Sequence, residues 1–182
     1  MTHEMTDAMA GNPSLYVGTY GKYNNGSIDG EWVDLTQFTD KDAFYDYVKK
    51  LHKDEDDPEF MFQDWENIPS GFIHESGFND PEGLWEWIDL DDDDRDLVAL
   101  YRDNVDRDAS FEKARDCYYG QYDSEKDFAM EYTHTTTAEA DFDSIENRLG
   151  IVIDWQATWD SLLRFDFIAV RHNGETWFFC NN

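Results

Sequence analysis

The side chains able to do chemistry in this chain are overwhelmingly carboxylates. Segment 82–108 holds eleven of them: Glu82, Glu86, Asp89, Asp91, Asp92, Asp93, Asp94, Asp96, Asp103, Asp106 and Asp108. Only Arg95, Arg102 and Arg107 oppose them, so these 27 residues carry −8. Paired carboxylates serve general acid–base and glycosidic chemistry, but where acids are this common no single pair is distinctive. Asp89-x-Asp91-x-Asp93 opens like a calcium loop, which needs Gly at its sixth position and Glu at its twelfth. Asp94 and Leu100 stand there instead. The histidines, His3, His52, His74, His134 and His172, form no HExxH and sit beside no cysteine, so they read as surface or packing residues. There is no GxSxG, P-loop or GxGxxG. Gly18, Gly21, Gly26 and Gly30 read as turn and bulge glycines. No catalytic residue, metal or cofactor is expected; what remains is electrostatics.

Residues 89–106, placed on one helix at about 100° per residue, sort into two sides. Leu90, Leu97, Val98, Tyr101 and Val105 fall on one; Asp89, Asp92, Asp96, Asp103 and Asp106 fall on the other. Neighbours three or four apart lie roughly 5–6 Å from each other at Cβ, the same order as successive phosphates of a DNA strand. The helix thus predicts an acidic stripe opposite a buried one.

The rest of the chain has the same bias. Among 182 residues, 42 Asp+Glu face 14 Lys+Arg, a net −28, yet 40% are hydrophobic and 16% aromatic. A disordered acidic tail would lack those aromatics, so the chain folds and wears its charge outside. Duplex DNA carries one charge per roughly 1.7 Å of axis, so 28 charges correspond to about 14 base pairs. Such a surface repels nucleic acid and anionic lipid and suits basic grooves. A solvated face or adaptation to high salt also produces acid-rich surfaces, but a net charge this large, spread over the whole chain, lowers the weight of the solvated face. Residues 1–11 lack the basic and apolar regions of a signal peptide, and no apolar run reaches membrane-spanning length. Cys117 and Cys180 form no CxxC and read as reduced. A cytoplasmic protein is expected.

The expected fold class is α+β, elongated, in three small domains. Residues 1–13 read as a disordered terminus. Residues 14–68 read as a ββαβ unit: strands over 15–20 and 31–35 around a turn at 22–27, a helix opened by Thr39 and Asp40, and a third strand over 59–66. Residues 69–135 read as a helical domain, with helices over 81–89 and 91–105, and two more capped by Ser110 and Ser124, the last ending near Tyr132. Thr133–Thr137 reads as a loop. Residues 136–182 read as α+β: a short helix near 144–149, a strand over 151–153, a helix over 155–163 and a hairpin of 165–171 with 175–179 turning at His172-Asn173-Gly174.

Two dense segments carry a resemblance. Tyr16-Val-Gly-Thr-Tyr-Gly-Lys-Tyr-Asn-Asn-Gly-Ser27 with Gly30-Glu-Trp-Val-Asp-Leu35, and Leu51 through Glu66 (LHKDEDDPEFMFQDWE), resemble the opening of the ArdA antirestriction proteins. The likeness resumes at Tyr119–Glu131 and Val152–Ala157, and at the C-terminal hairpin. It implies an elongated three-part fold that dimerises through its C-terminal region. It also implies a protein borne on plasmids and conjugative transposons that mimics DNA and occupies the DNA groove of type I restriction–modification enzymes. The family's antirestriction motif falls near Ala138–Asp154, where Asp141–Gly150 departs from the pattern.

The partner-binding acids expected on this reading are Asp56, Asp57, Glu59, Asp64, Glu66, Glu82, Glu86, Asp89, Asp92, Asp93, Asp96, Asp103, Asp106, Asp108, Asp116, Asp123, Glu125, Asp127 and Glu131. Ile151, Ile153 and Trp155 are the expected dimer interface, since aromatics are enriched in such surfaces. The partner is the DNA-binding groove of the specificity and modification subunits, with no nucleic acid and no membrane. The alternative is a general acidic chaperone or scaffold for basic DNA-binding proteins. A hydrolase with a carboxylate pair ranks below both.

Overall fold

The computed structural model describes residues 11–137, 144 and 148–181. It is α+β and divides into two compact units, the first running to Phe111 and the second from Glu112.

The first unit begins with an antiparallel sheet in the order β2-β1-β3, from β1 (Ser14–Thr19), β2 (Glu31–Asp34) and β3 (Phe60–Glu66). Alternation along β1 drives its pairing: Leu15 and Val17 are fully buried, while Ser14 and Tyr16 face the other way. The expected turn at 22–27 is instead a short helix, α1 (Tyr20–Asn24), capped by the Thr19 side chain, with the turn following at Asn25-Gly26. Gly26 has φ +81° and no atom within 4 Å of where a Cβ would sit, so conformation alone requires glycine there. α2 (Lys41–Leu51) starts at Asp40, whose carboxylate accepts from Ala43 N, and buries Phe44 and Val48 on the sheet.

The expected break at 68/69 lies inside this unit, because the core crosses it. Phe44 and Phe62 meet Phe78 at ring-centroid distances of 5.4 and 5.0 Å, and Phe78 meets Trp85 at 5.3 Å. The strands β4 (Ile73–His74) and β5 (Gly77–Phe78) correct the all-helical reading of 69–135. Helices α3 (Pro81–Ile88) and α4 (Asp92–Asn104) follow, close to their expected bounds, with Asp80 and Asp91 as N-caps. The terminus is also more ordered than expected at its end. Asn12 Nδ2 donates to Asp34, and Pro13 O accepts from Leu35 N; residues 1–10 lie outside the described ones.

α5 (Phe111–Asp116) leads into the second unit. Its sheet has the order β6-β8-β7, from β6 (Tyr118–Tyr122), β7 (Phe167–His172) and β8 (Glu175–Cys180), all antiparallel. β6 is a further correction to the helical reading of 69–135, and its pairing with β8 places the expected boundary at 135/136 inside this unit. Helices α6 (Glu125–Thr136) and α7 (Trp155–Ser161) pack Phe128, Ala129 and Trp159 against Phe167 and Phe178; the Phe128 and Phe178 rings stack at 4.1 Å.

Three expectations here are corrected. Thr133–Thr137 is mostly helix rather than loop: Tyr132, held 4.9 Å from Phe167, anchors the preceding turn, and Thr136 Oγ1 donates back to Tyr132 O. Residues 151–153 join no strand. The expected helix near 144–149 lies largely outside the described residues. Cys117 and Cys180, read as reduced, are joined as a disulfide. The ladder brings them together: Cys180 N donates to Cys117 O at 2.8 Å.

No described helix is long and apolar enough to cross a membrane.

Candidate partner-binding surface

The acids are distributed unevenly between the units. The first holds 28 Asp+Glu against 8 Lys+Arg, so −20; the second holds 14 against 6, so −8. One of those eight cations is almost wholly buried. Arg102 is only 3% exposed, with Nε donating to Ser70 O at 2.8 Å, Nη1 to Ala109 O at 2.7 Å, and its guanidinium 3.6 Å above the Phe72 ring. Burial holds its pKa below the usual arginine value, while the carboxylates of Asp80, Asp108, Asp106 and Asp103 work the other way.

Sixteen of the nineteen expected acids are exposed; Asp96, Glu125 and Asp127 are half-buried. The continuous stripe predicted over 89–106 is shorter than expected. α4 begins at Asp92 and ends at Asn104, so only Asp92, Asp96 and Asp103 share its face, over about 16 Å of axis. Asp89 instead caps the C-terminus of α3, and Asp106 follows the end of α4. Leu97, Val98 and Tyr101 are buried on the opposite side as predicted. Local chemistry explains much of the acid clustering at 91–94. Asp91 accepts from Asp94 N at 3.0 Å, and acids in a helix's first turn complement its dipole. Asp92 lies 3.4 Å from Arg95, Arg107 Nε lies 3.7 Å from Asp108, and Asp103 accepts from Ser70 N.

The sheet-and-helix frame adds two acids absent from the expected set, Asp40 and Asp42, beside three that belong to it. A cleft of about 430 Å³ is lined by Asp40, Asp42, Glu82, Glu86 and Asp89 around Trp85. It joins the start of α2 to the exposed side of α3, positions 40 residues apart, which no linear scan of charge density would unite. Backbone donation from Ala43 is the largest cause holding the Asp40 carboxyl below its usual pKa, so it stays ionised. In the second unit, Asp116, Asp123 and Glu131 are exposed around β6 and α6, while Asp127 is engaged by the Ser124 hydroxyl.

The expected interface residues separate. Ile151 is 47% exposed and its neighbour Val152 91%, whereas Trp155 is buried in its own unit, 5.3 Å from the His134 ring. Ile153 is half-buried. Most of the expected antirestriction motif at 138–154 lies outside the described residues.

Self-repulsion at this charge density disfavours the compact state, and salt screens it. Melting temperature is therefore expected to rise by several degrees between 20 mM and 0.5 M monovalent salt. A flat or falling curve would mean that repulsion is not a major term.

The described residues thus form a folded scaffold that displays carboxylates on successive elements. The model of the antirestriction protein (ArdA) family matches residues 15–174, and the chain belongs to that family. No curated protein and no solved structure gave a match. Membership implies an antirestriction function, and the match covers both units.

Proposed function

We propose that this protein inhibits type I restriction–modification enzymes by occupying their DNA-binding groove, its carboxylates standing where phosphates would lie. The observation that carries this reading is the exposure of sixteen of the nineteen expected acids on a folded antirestriction-family scaffold. A basic groove built for a polyanion gains the same complementarity from fixed carboxylates, and steering accelerates the encounter. The protein acts stoichiometrically, without turnover, in the cytoplasm.

The test is titration of the purified chain against a type I complex bound to labelled duplex at several salt concentrations. Displacement at about one equivalent per DNA site, weakening steeply as salt rises, is the expected result. Absence of displacement at low salt, where attraction is strongest, would sink the reading; tight capture of unrelated basic proteins under the same conditions would favour a general acidic chaperone.

The protein acts as a homodimer joined through the segment around Ile151 and Ile153. Support comes from the apolar exposure there, which a solvated monomer would leave unused. Ile151→Asp is expected to halve the mass measured by sedimentation while leaving the circular dichroism spectrum unchanged. An unchanged mass would place the interface elsewhere.

A further inference from the structure

The inner face of the sheet β2-β1-β3 is packed; its outer face carries an unusual pattern. Register places Asp34, Ser14 and Glu66 in one row across the three strands, and Trp32, Tyr16 and Asp64 in the next. Directly opposed residues in such rows have Cβ atoms about 4.5–5.5 Å apart. Two aromatic rings thus sit side by side with carboxylates of both rows around them.

The aromatic pair is held rigidly. Tyr16 Oη donates to Ile28 O at 3.1 Å, and its ring edge runs beside Gly30, where an added Cβ would come within 2.9 Å of Tyr16 Cε1. Trp32 meets Tyr16 edge to face at 5.6 Å and remains 42% exposed, on an edge strand of the sheet. A large indole left in water beside a fixed tyrosine is not required by the core, which Leu15, Val17 and Val33 fill from the other side. The Asp64 carboxylate is steadied by Trp65 N at 2.9 Å, and Asp34 by Asn12 and Thr36.

We propose that this face is an arginine-docking platform on which a guanidinium group of a basic partner protein stacks against Trp32 beside Asp34, while Asp64 and Glu66, across β1 on the other edge of the sheet, receive neighbouring cations of the same partner. The inference deepens the reading above and rests on it for the partner, whose DNA groove supplies the arginines. Charge complementarity and ring geometry select the occupant. An aromatic face attracts a cation, the planar guanidinium stacks on it, and a compact, strongly hydrated ammonium does so less well. Carboxylates already favour arginine somewhat through bidentate pairing, so the share of the preference that depends on Trp32 is what marks the platform. The platform therefore adds an aromatic contribution to the arginine preference of the surrounding carboxylates.

Fluorescently labelled octa-arginine and octa-lysine, titrated against the full chain at 0.15 M salt, test this directly. The wild type is expected to prefer octa-arginine by roughly 3–30-fold. Trp32→Ala should lower that ratio at least twofold, by weakening octa-arginine while octa-lysine changes less than twofold. Trp32→Thr, which keeps a β-branched residue in the edge strand, should do the same, and Trp32→Phe should retain part of the preference. A wild-type ratio of one, or a ratio untouched in both Trp32→Ala and Trp32→Thr, overturns the platform. Displacement of duplex from the type I complex is read in parallel. A Trp32-independent arginine ratio with intact displacement would remove the platform and leave the proposed function standing. A Trp32-dependent ratio with no displacement would do the reverse.

Discussion

Arg102→Ala is expected to destabilise the first unit by roughly 3–5 kcal/mol, more than any single change of a surface acid. The side chain satisfies two carbonyls, Ser70 O and Ala109 O, from a position 3% exposed, and its plane covers Phe72. Truncation leaves both acceptors without their donor, at about 1–3 kcal/mol each, and opens a void beside the ring. Gly71 allows the loop to close so tightly on this side chain: it has φ +89°, and a Cβ there would lie 2.7 Å from Arg102 Nη2. Arg102→Lys keeps the charge but loses the fork that reaches both carbonyls, so it should recover less than half of the loss. Urea denaturation followed by circular dichroism measures both. Since typical domains have about 5–15 kcal/mol in total, the alanine variant should melt many degrees lower. A loss below about 1 kcal/mol would show that water replaces the guanidinium without cost.

Arg102 also shows what the sequence could have revealed. It stands four residues after Val98, on the side of the helix that the periodicity assigns to the core. The signal was present, but a charge count treats every arginine as solvated. The caps and helix starts were more legible, because each is a local event. Asp40, Asp80, Asp91 and Ser124 each accept a backbone N–H inside the helix they open. The acidic character of the surface was legible for a similar reason, since carboxylates without buried partners stay in water.

What escaped was set by long-range pairing. β4 and β5 have two residues each, too few for a period of two to register. β6 is interrupted by a register shift between Tyr118 and Gly120, and its stability comes from β8, more than fifty residues later. The Cys117–Cys180 link follows from the same pairing, across 63 positions. Thr133–Thr137 was misread because β-branched threonines are poor helix formers; packing of Phe128 and Tyr132 overrides that preference. The division at Phe111 was hidden for a related reason, as the aromatic core of the first unit draws on both sides of 68/69.

Replacing Asp89, Asp92, Asp96, Asp103 and Asp106 together by asparagine is expected to abolish inhibition of a type I complex at physiological salt without unfolding the protein. Each neutralised phosphate of duplex DNA contributes about 0.9 to the slope of log K against log salt, which sets the upper bound for a carboxylate in its place. Removing five lowers that slope by up to about 4.5 and weakens binding near 0.1 M salt by as much as roughly 10⁴-fold. A single replacement should cost about tenfold or less, because the effect is a sum over sites. Asparagine is the appropriate substitute: it retains an acceptor for Ser70 N at position 103, and Asp91, which caps α4, is untouched. The five positions lie on three different local supports, the α3 C-cap, α4 itself and the turn beyond it, so the prediction tests a distributed field rather than one helix face. Competition against labelled duplex at three salt concentrations, with melting curves beside it, gives the answer. If one replacement alone removed inhibition in a folded protein, a specific contact and not phosphate mimicry would be the mechanism. If all five left the slope unchanged, the groove would be reading acids elsewhere, and the cleft of Asp40, Asp42, Glu82 and Glu86 would be the next set to neutralise.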